Sequence, residues 1–483
     1  MRPRGVVLLL ALLPAIGCRT ARGPLGPDAA SIIEGTAAGS VRVDTTTDPF
    51  AVSLGRGHWR TRTDRSDARD FWTDVSVLDV SSAEADAANL DERTFAVALR
   101  QLMSSDPDGA SVAFSALRTN ARDSLVRMRS RVGLTMALTW ASDWSAIAGM
   151  GTDTDSLGWV SADPLTRHTT VERWAHAFAG ITPASISVPD QPTVVPLRRS
   201  MTGVPVVRVR INGHPHEFWL DTGASMTIIS ADIARDGGVY LAARDTLALG
   251  VVGGNIDARA VVIDSISVGK FVARGVTAAL VSPRMLRLDY RLEGGQQIPV
   301  HIDGVLGSDL LRRVDLVIDA DAGTVSIRKP RRDPHATRNL FWIGFPVVRL
   351  VARDGRPLLF GLDTGADSTY VTMNLLRKLP RTPVAARRGA MHGLGEHAER
   401  TDWVAQDLAV SDGEYAIGLD NVPVAPDHHW TFVTFDGMIG SDIALGTRLH
   451  LDFENGIFDI RPTAAAKPKP FVRTENSPFQ PEP

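Results

Sequence analysis

One short stretch occurs twice in the chain, and it constrains the fold more than any other feature. In each copy an apolar run ends in Asp-Thr-Gly-Ala, and the two copies occupy residues 218–225 and 360–367. A Pro-Val-Val-Arg run and an Asn-Gly or Asp-Gly pair precede each copy, with Gly213 and Gly355 eight positions before the aspartate. Such pairs between apolar runs favour two-residue hairpin turns, because both turn residues need positive φ. Each copy is therefore predicted to be a hairpin whose second strand ends on an aspartate.

The repetition continues further along the chain. Residues 303–309 and 436–442 share the pattern Asp-Gly-apolar-apolar-Gly-Ser-Asp. The two aspartates of the Asp-Thr-Gly motifs are 363 − 221 = 142 positions apart, and the Gly-Ser-Asp motifs are 442 − 309 = 133 apart. The second copy is thus shorter by nine residues in its middle. Matched ends with a variable middle predict two related lobes that carry different loops.

These residues resemble the aspartyl proteases of the retropepsin and pepsin type. In that family Asp-Thr-Gly carries the catalytic aspartate, and a later apolar-apolar-Gly run packs beside it. Val305–Gly307 and Met438–Gly440 are the corresponding runs here. The resemblance covers residues 195–462. It implies a multidomain chain that is mainly β, with two related β-barrel lobes in one bilobal unit, preceded by an α-helical domain.

The resemblance implies a catalytic pair made of Asp221 and Asp363. Two carboxylates about 3 Å apart cannot both ionise easily, so they share one proton. The ionised member takes a proton from a bound water, and the protonated member hydrogen-bonds the scissile carbonyl. The neighbouring residues are expected to support the two loops, with hydroxyls that bridge the lobes and glycines that allow close backbone approach. They are Thr222, Gly223, Thr364 and Gly365.

Two glycine-rich stretches stand where the resembled family has hairpin flaps over its cleft. Glycine permits both a tight turn and close approach to a substrate strand. Neither stretch carries the tyrosine of pepsin-like flaps. The flap candidates are Gly250, Val251, Val252, Gly253 and Gly254 in the first lobe, and Gly389, Met391, Gly393 and Gly395 in the second.

The N-terminus has the pattern of an export signal. A basic start is followed by an apolar run at 5–13 and by small residues before Cys18. The run is too short to remain as a stable membrane span. Small residues before a cysteine resemble a bacterial lipobox, which implies cleavage before Cys18 and a lipid on its thiol. An ordinary secretory signal with an incidental cysteine is the alternative, and Cys18 as the single cysteine excludes an intramolecular disulfide.

The remaining sequence suggests the domain order. Beyond the signal peptide at 1–18, we predict a tether with short strands at 19–82 and a helical domain at 83–181, where apolar residues recur at helical spacing. The lobes are expected at 195–330 and 340–462, and a disordered tail at 463–483. The helical part resembles a degenerate tetratricopeptide-like unit without a clean 34-residue period. It is either a prodomain or packing domain, or a module that binds a peptide or a partner.

The sequence therefore predicts an aspartic endopeptidase of the bacterial cell envelope, lipid-anchored on its periplasmic or extracellular face. Its expected partners are a polypeptide substrate and the membrane, with no cofactor and no metal. The net charge of −3 gives no indication of nucleic-acid binding. We expect activity as a monomer through lobe pairing, although each lobe pairing with a partner chain is an alternative. The alternative function is a non-catalytic peptide-binding or scaffold lipoprotein that retains the fold.

Overall fold

The structure of the 483-residue chain is a computed structural model. It describes residues 32–33, 40–44, 70–151, 164–200, 203–251, 254–291, 297–393, 396–430, 432–444 and 446–463. The signal segment with Cys18, most of the predicted tether and residues 464–483 lie outside the described residues. The described part is mainly β, with two large barrel-like sheets preceded by a helical region.

The helical region begins at Phe71, twelve residues before the predicted start at 83 and inside the segment assigned to the tether. Aspartate caps explain this start, since Asp70 accepts a hydrogen bond from Thr73 N at 2.7 Å and Asp79 accepts one from Ser82 N at 3.2 Å. No helix of the described residues is long and apolar enough to cross a membrane. The helices are α1 Phe71–Ser76, α2 Val80–Asp86, α3 Leu90–Met103, α4 Pro107–Asn120, α5 Ser124–Ala141, α6 Trp144–Gly149, α7 Pro164–Phe178, α8 Ser308–Leu311 and α9 Met373–Lys378.

Most described strands form two large sheets, one dominated by each half of the repeat, and the pairs β11–β12 and β25–β26 form two small sheets. In chain order, the strands up to the middle of the chain are β1 Ile32–Ile33, β2 Ser40–Asp44, β3 Ser185–Ser187, β4 Thr193–Arg199, β5 Pro205–Ile211, β6 His214–Leu220, β7 Ile228–Ser230, β8 Val239–Val251, β9 Gly254–Val268, β10 Phe271–Val281, β11 Arg287–Arg291, β12 Gln297–His301, β13 Gly304–Leu306, β14 Asp315–Asp319 and β15 Thr324–Arg328. The others are β16 Leu340–Trp342, β17 Pro346–Ala352, β18 Pro357–Leu362, β19 Tyr370–Thr372, β20 Val384–Gly393, β21 Glu396–Ala405, β22 Leu408–Ser411, β23 Ala416–Asp420, β24 Val422–Ala425, β25 His428–Trp430, β26 Val433–Phe435, β27 Gly437–Ile439, β28 Thr447–Asp452 and β29 Ile457–Pro462.

Both predicted hairpins are present. β5 and β6 pair with Ile211 opposite His214, and the turn residues Asn212 and Gly213 have φ of 51° and 92°. β17 and β18 form the second hairpin, but its turn differs from the predicted two residues. Val351 pairs with Pro357 across a longer turn, in which Gly355 has φ 85° whereas Asp354 does not have positive φ. Positive φ is a conformation that Asn and Gly tolerate and most residues do not. Each second strand ends immediately before an aspartate of the Asp-Thr-Gly motif.

The strand that ends on each aspartate is flanked in the same way in both halves. β6 runs parallel to β13, and β13 pairs antiparallel with β7. β18 runs parallel to β27, and β27 pairs antiparallel with β19. The carboxylate of Asp303 accepts Glu217 N–H at 2.9 Å, and that of Asp436 accepts Leu359 N–H at 2.8 Å. These partners keep the sequence offsets of 142 and 133, so the repeated residues make matching hydrogen bonds.

The two halves share one sheet edge and one apolar core. β28, near the C-terminus, pairs antiparallel with β14 of the first half, which gives the order β29-β28-β14-β15. Phe218 and Leu220 of β6 lie in the same buried cluster as Phe360 and Leu362 of β18. This interior core therefore holds the two strands that carry the Asp-Thr-Gly motifs in a fixed relation.

The helical region is anchored to the first half through a buried arginine. Arg312, just after α8, donates to the carbonyls of Thr139 and Trp140 at the end of α5, at 2.9 and 3.1 Å. Its guanidinium group also lies 4.8 Å from the ring centroid of Trp342 in β16. Carbonyls at a helix C-terminus lack intrahelical donors, so they are suitable acceptors for a cation. Arg312 therefore ties the helices to both halves at one point.

Candidate active site

The two aspartates meet at the centre of the molecule. Asp221 follows β6 and Asp363 follows β18, and both residues are 0% exposed. A Cβ placed on Gly223 would lie 2.5 Å from Asp363 Cγ, and one placed on Gly365 would contact Asp221 Cγ even more closely. Each carboxyl group therefore packs against the glycine of the opposite motif. Only glycine leaves room for this approach, which is the role predicted for Gly223 and Gly365.

Each carboxyl group is oriented by backbone N–H groups of its own loop. Asp221 Oδ1 accepts Ala224 N–H at 2.9 Å. Asp363 Oδ1 accepts Gly365 N–H at 3.0 Å and Ala366 N–H at 3.1 Å. Both Oδ2 atoms are buried without an N–H or hydroxyl donor among the described residues. These are the atoms left to share a proton between the two carboxyl groups.

The two threonines cross-link the loops through four hydrogen bonds. Thr222 Oγ1 donates to Leu362 O at 3.0 Å and accepts Thr364 N–H at 3.0 Å. Thr364 Oγ1 donates to Leu220 O at 2.8 Å and accepts Thr222 N–H at 3.0 Å. All four bonds connect one half to the other and are buried. They fix the spacing of the two aspartates, since each loop supplies the other with a donor and an acceptor.

We expect the Thr364→Val protein to lose stability. The substitution leaves Leu220 O and Thr222 N–H buried without partners, and each such group costs about 1–3 kcal/mol. The free energy of unfolding from urea titration should fall by roughly 2–4 kcal/mol. Thr119→Val is the matched control, because Thr119 is exposed and bonds only within α4. A loss at Thr364 no larger than the loss at Thr119 would contradict the cross-link.

Burial sets the charge state of the pair. It raises the pKa of Asp221 to about 6, against the lowering effect of the hydrogen bond from Ala224 N–H. Burial raises the pKa of Asp363 further above its usual range, and the negative charge of Asp221 adds to that rise. Burial also raises the pKa of Tyr370, and the negative charge of Asp363 adds to that rise. The pair therefore holds one proton over a wide pH range, which Asp363 retains in preference to Asp221.

A second pair of carboxylates, Asp309 and Asp442, accepts hydrogen bonds from threonines that follow the two Asp-Thr-Gly loops. Asp309 Oδ1 accepts the Thr227 hydroxyl at 3.0 Å, and Asp442 Oδ1 accepts the Thr369 hydroxyl at 2.6 Å. Asp309 lies in α8, and Asp442 lies in the 3₁₀ turn Ser441–Ala444. Their threonine partners were missed. The signal was present, since Thr227 and Thr369 each lie six positions after the motif aspartate.

The predicted flap stretches lie at the tips of two long hairpins. In the first half Gly250 and Val251 end β8 and Gly254 begins β9, with Val251 opposite Gly254. In the second half Gly389, Met391 and Gly393 lie on β20, which pairs with β21. Val252, Gly253 and Gly395 lie outside the described residues. The described residues of both glycine-rich stretches thus belong to paired antiparallel strands.

Comparison with known proteins links one part of the chain to a protein family. Residues 207–310, which contain Asp221 and β13, match the family model described as aspartyl protease. No curated protein matches the chain. An aspartic proteinase from Irpex lacteus is 12% identical, with 57% of this chain and 98% of that chain covered and a TM-score of 0.36. A retropepsin-like aspartic protease from Rickettsia conorii is 18% identical, with coverages of 31% and 96% and a TM-score of 0.19.

Proposed function

We propose that the protein is an aspartic endopeptidase that hydrolyses peptide bonds with a water activated by Asp221 and Asp363. The observation that carries the proposal is the pair of Asp-Thr-Gly loops that face each other and exchange hydrogen bonds through both threonines. A protein that only binds peptides needs neither two buried carboxyl groups that face each other nor the unpaired Oδ2 atoms that they carry. The match of residues 207–310 to the aspartyl protease family supports the same conclusion.

The reaction follows from a pair that holds one proton. Ionised Asp221 takes a proton from water as the water oxygen attacks the carbonyl carbon, and protonated Asp363 donates its proton to the carbonyl oxygen. The product is a tetrahedral diol. Asp221 then gives its proton to the amide nitrogen while Asp363 recovers one from the diol, and the C–N bond breaks. The protonation state of the pair is restored, so no other group needs to supply or remove a proton.

The chain holds both halves of this site, which supports activity as a monomer. The matching hydrogen bonds join residues whose counterparts lie 142 or 133 positions later, which supports an internal duplication of one ancestral lobe. The Thr222–Thr364 cross-links use both motifs of the same chain. A second chain is therefore not needed to complete the pair of carboxyl groups.

Cleavage of an unfolded polypeptide tests the proposal. The protein is incubated with a reduced, denatured substrate protein across pH 4 to 9, and new termini are identified by mass spectrometry. Internal cleavage that is lost in both Asp221→Asn and Asp363→Asn proteins is the expected result. Cleavage that survives either substitution would place the activity elsewhere. Tight binding of peptides without any cleavage would favour the peptide-binding alternative.

The pH profile of hydrolysis is expected to lie near neutrality. Asp221 must be ionised to act as the base, and its pKa is about 6. Activity should therefore fall tenfold per pH unit below about 6. It should also fall at alkaline pH, where Asp363 loses its proton. An initial-rate profile of kcat/KM between pH 4 and 9 measures both limbs, and a maximum at pH 4 or below would contradict this assignment.

We also propose export and lipid attachment at Cys18, on the sequence pattern alone. Cells fed an alkyne-bearing fatty acid should incorporate it into the chain, and the Cys18→Ser protein should remain unlabelled in the precursor form. Secretion of a soluble, unlabelled and processed protein would instead support the ordinary secretory signal. This test is independent of the hydrolytic activity.

A further inference from the structure

The strands that carry the aspartates have two faces, and only one lies in the interior core. Side chains alternate along a strand, so Trp219 is on the same face as Asp221, whereas Leu220 points to the interior core. Val305 of β13 is in register with Trp219, and Ile228 of β7 is in register with Val305. These three residues belong to a second buried cluster, separate from the interior core. We call it the first cleft-side cluster, because it flanks Asp221 on the face that bears its carboxyl group.

Helix α7 contributes two aromatic residues to the first cleft-side cluster. Trp174 is 2% exposed and Phe178 is 0% exposed, and both are members of the cluster. Their ring centroids lie 5.7 Å apart, and Trp144 of α6 lies 5.4 Å from Phe178. Aromatic side chains of this size dominate the apolar area that they bury. Apolar surface beside the aspartate is therefore covered by the protein's own helical region.

Helix α7 also donates hydrogen bonds to the hairpin formed by β8 and β9. Among the described residues β8 is an edge strand of its sheet, so its outward carbonyls have no partner strand there. Trp174 Nε1–H donates to Ala248 O at 2.9 Å, and Arg173 Nη2–H donates to Thr246 O at 3.2 Å. Leu247 and Leu249 of the same segment pack into the first cleft-side cluster. The contacts come directly before Gly250, where the glycine-rich tip begins.

The second half shows a corresponding arrangement. Leu359 is on the face of β18 that bears Asp363, and Met438 of β27 is in register with Gly361. Leu359 and Met438 share a buried cluster with the helices α1–α5 rather than with the interior core. Phe95 of α3 lies 5.7 Å from Phe432 within that cluster. Both faces that flank the pair of aspartates are thus continuous with helical packing, and the aspartates are 0% exposed.

From these contacts we infer that the helical region is an intramolecular inhibitor, in which α7 covers the first cleft-side cluster and pins the β8–β9 hairpin. Access of a polypeptide to Asp221 requires Trp174 to leave this cluster. The inference rests on the proposed function for its meaning as inhibition, although the occlusion itself can be measured without catalysis. It also specifies the partner of the apolar cleft surface, namely the chain's own Trp174 and Phe178.

A thiol reporter measures the occlusion directly. Cys18 is the only cysteine, so the full chain with Cys18→Ser has no background thiol. Val305→Cys places a thiol in the first cleft-side cluster, where Val305 is 0% exposed. Val207→Cys is the matched control, because Val207 is 1% exposed but belongs to the interior core. Reaction with a small neutral disulfide reagent is followed for both reporters, with and without Trp174→Ala.

The Val305→Cys thiol should react at least about tenfold faster when Trp174→Ala is added, whereas the Val207→Cys thiol should change less than about twofold. Trp174→Phe keeps a smaller apolar ring and removes the bond to Ala248 O, so its acceleration should be intermediate. It also keeps the test valid if the alanine protein folds poorly. Equal acceleration of both reporters, or none at Val305→Cys, would overturn the inference.

Hydrolysis is measured on the same Trp174→Ala protein and separates the two claims. Faster labelling together with faster cleavage, which Asp363→Asn abolishes, supports inhibition by α7. Faster labelling without any cleavage would leave the occlusion standing and count against the endopeptidase. Cleavage by the unmodified chain that Trp174→Ala does not increase would overturn the inhibitory role while leaving the endopeptidase intact.

Discussion

Asp221→Asn and Asp363→Asn proteins are expected to lose peptide hydrolysis by about 10³-fold or more, because each removes one of two proton-transfer groups that act as a unit. The asparagine is nearly isosteric and keeps an Oδ1 acceptor for the loop N–H groups that orient each carboxyl. The loss should therefore appear in kcat with the fold retained. Rates are measured on a peptide substrate in the Trp174→Ala background, where the cleft is expected to be accessible.

The Asp221→Asn substitution should also stabilise the protein at neutral pH. The pKa of Asp221 rises from 3.8 to about 6 on folding, so the folded state binds this proton more tightly than the unfolded chain does. Its contribution is complete below about pH 4 and is lost as the pH rises through 6, which costs about 3 kcal/mol at pH 8. Asp221→Asn removes this loss. Its stability advantage over the unsubstituted chain should therefore grow from pH 4 to pH 8.

Asp354→Asn is the matched control for both measurements. Asp354 lies in an exposed hairpin turn, and the corresponding turn of the first half already contains Asn212. Hydrolysis and the pH dependence of stability should be unchanged in this protein. Equal hydrolysis by the Asp354→Asn and Asp363→Asn proteins would rule out the pair as the catalytic groups.

Gly365→Ala is expected to damage both folding and catalysis. The new methyl group would overlap the Asp221 carboxyl group, which packs directly on Gly365. Neither loop can retreat easily, because the Thr222–Thr364 bonds hold them together. Overpacking of this kind costs about 1–3 kcal/mol, and displacing the carboxyl group by about 1 Å is expected to reduce hydrolysis about 100-fold. Urea unfolding and peptide cleavage measure the two effects.

Gly149→Ala provides the comparison for that substitution. Gly149 ends helix α6, and no atom lies within 4 Å of the position of an added Cβ. Stability should stay the same or rise by up to about 1 kcal/mol, because alanine is the better helix former. If Gly365→Ala were tolerated as well as Gly149→Ala, the close packing of the two loops would be wrong.

The parts of the site that follow from local chemistry were accessible from the sequence. Asn-Gly and Asp-Gly pairs are turn signals, so both hairpins and the strand ends that carry Asp221 and Asp363 could be placed, although Asp354 does not take the positive φ that Asn212, Gly213 and Gly355 have. The repeat, with its offsets of 142 and 133 positions, also predicted that the two motifs would occupy matching positions. These features depend on residues close together in sequence or on a pattern that occurs twice.

Other features depend on contacts between distant segments, which no local pattern encodes. The apolar spacing of α7 does not reveal that Trp174 shares a buried cluster with Trp219 of β6. Nothing in the local sequence distinguishes Arg312 from an exposed arginine, yet it is 3% exposed beneath the end of α5. The early start of the helices at Phe71 was missed because α1 and α2 are too short to show a clear period.

The two interpretations of the helical region lead to different expectations. A module that binds a partner presents an apolar surface to another molecule. Here the apolar residues Phe95, Trp174 and Phe178 are buried in clusters shared with the two β halves. The inhibitory role that we propose belongs with the prodomain or packing interpretation, and it gives the helices a direct effect on access to the aspartates.

Mass spectrometric detection of new peptide termini tests the central claim most directly. An unfolded polypeptide is incubated at pH 7 with the Trp174→Ala protein and, separately, with the Trp174→Ala/Asp363→Asn protein. Hydrolysis by the pair of aspartates predicts internal cleavage by the first protein and none by the second. The same termini at the same rate in both samples would show that Asp221 and Asp363 do not form the catalytic site.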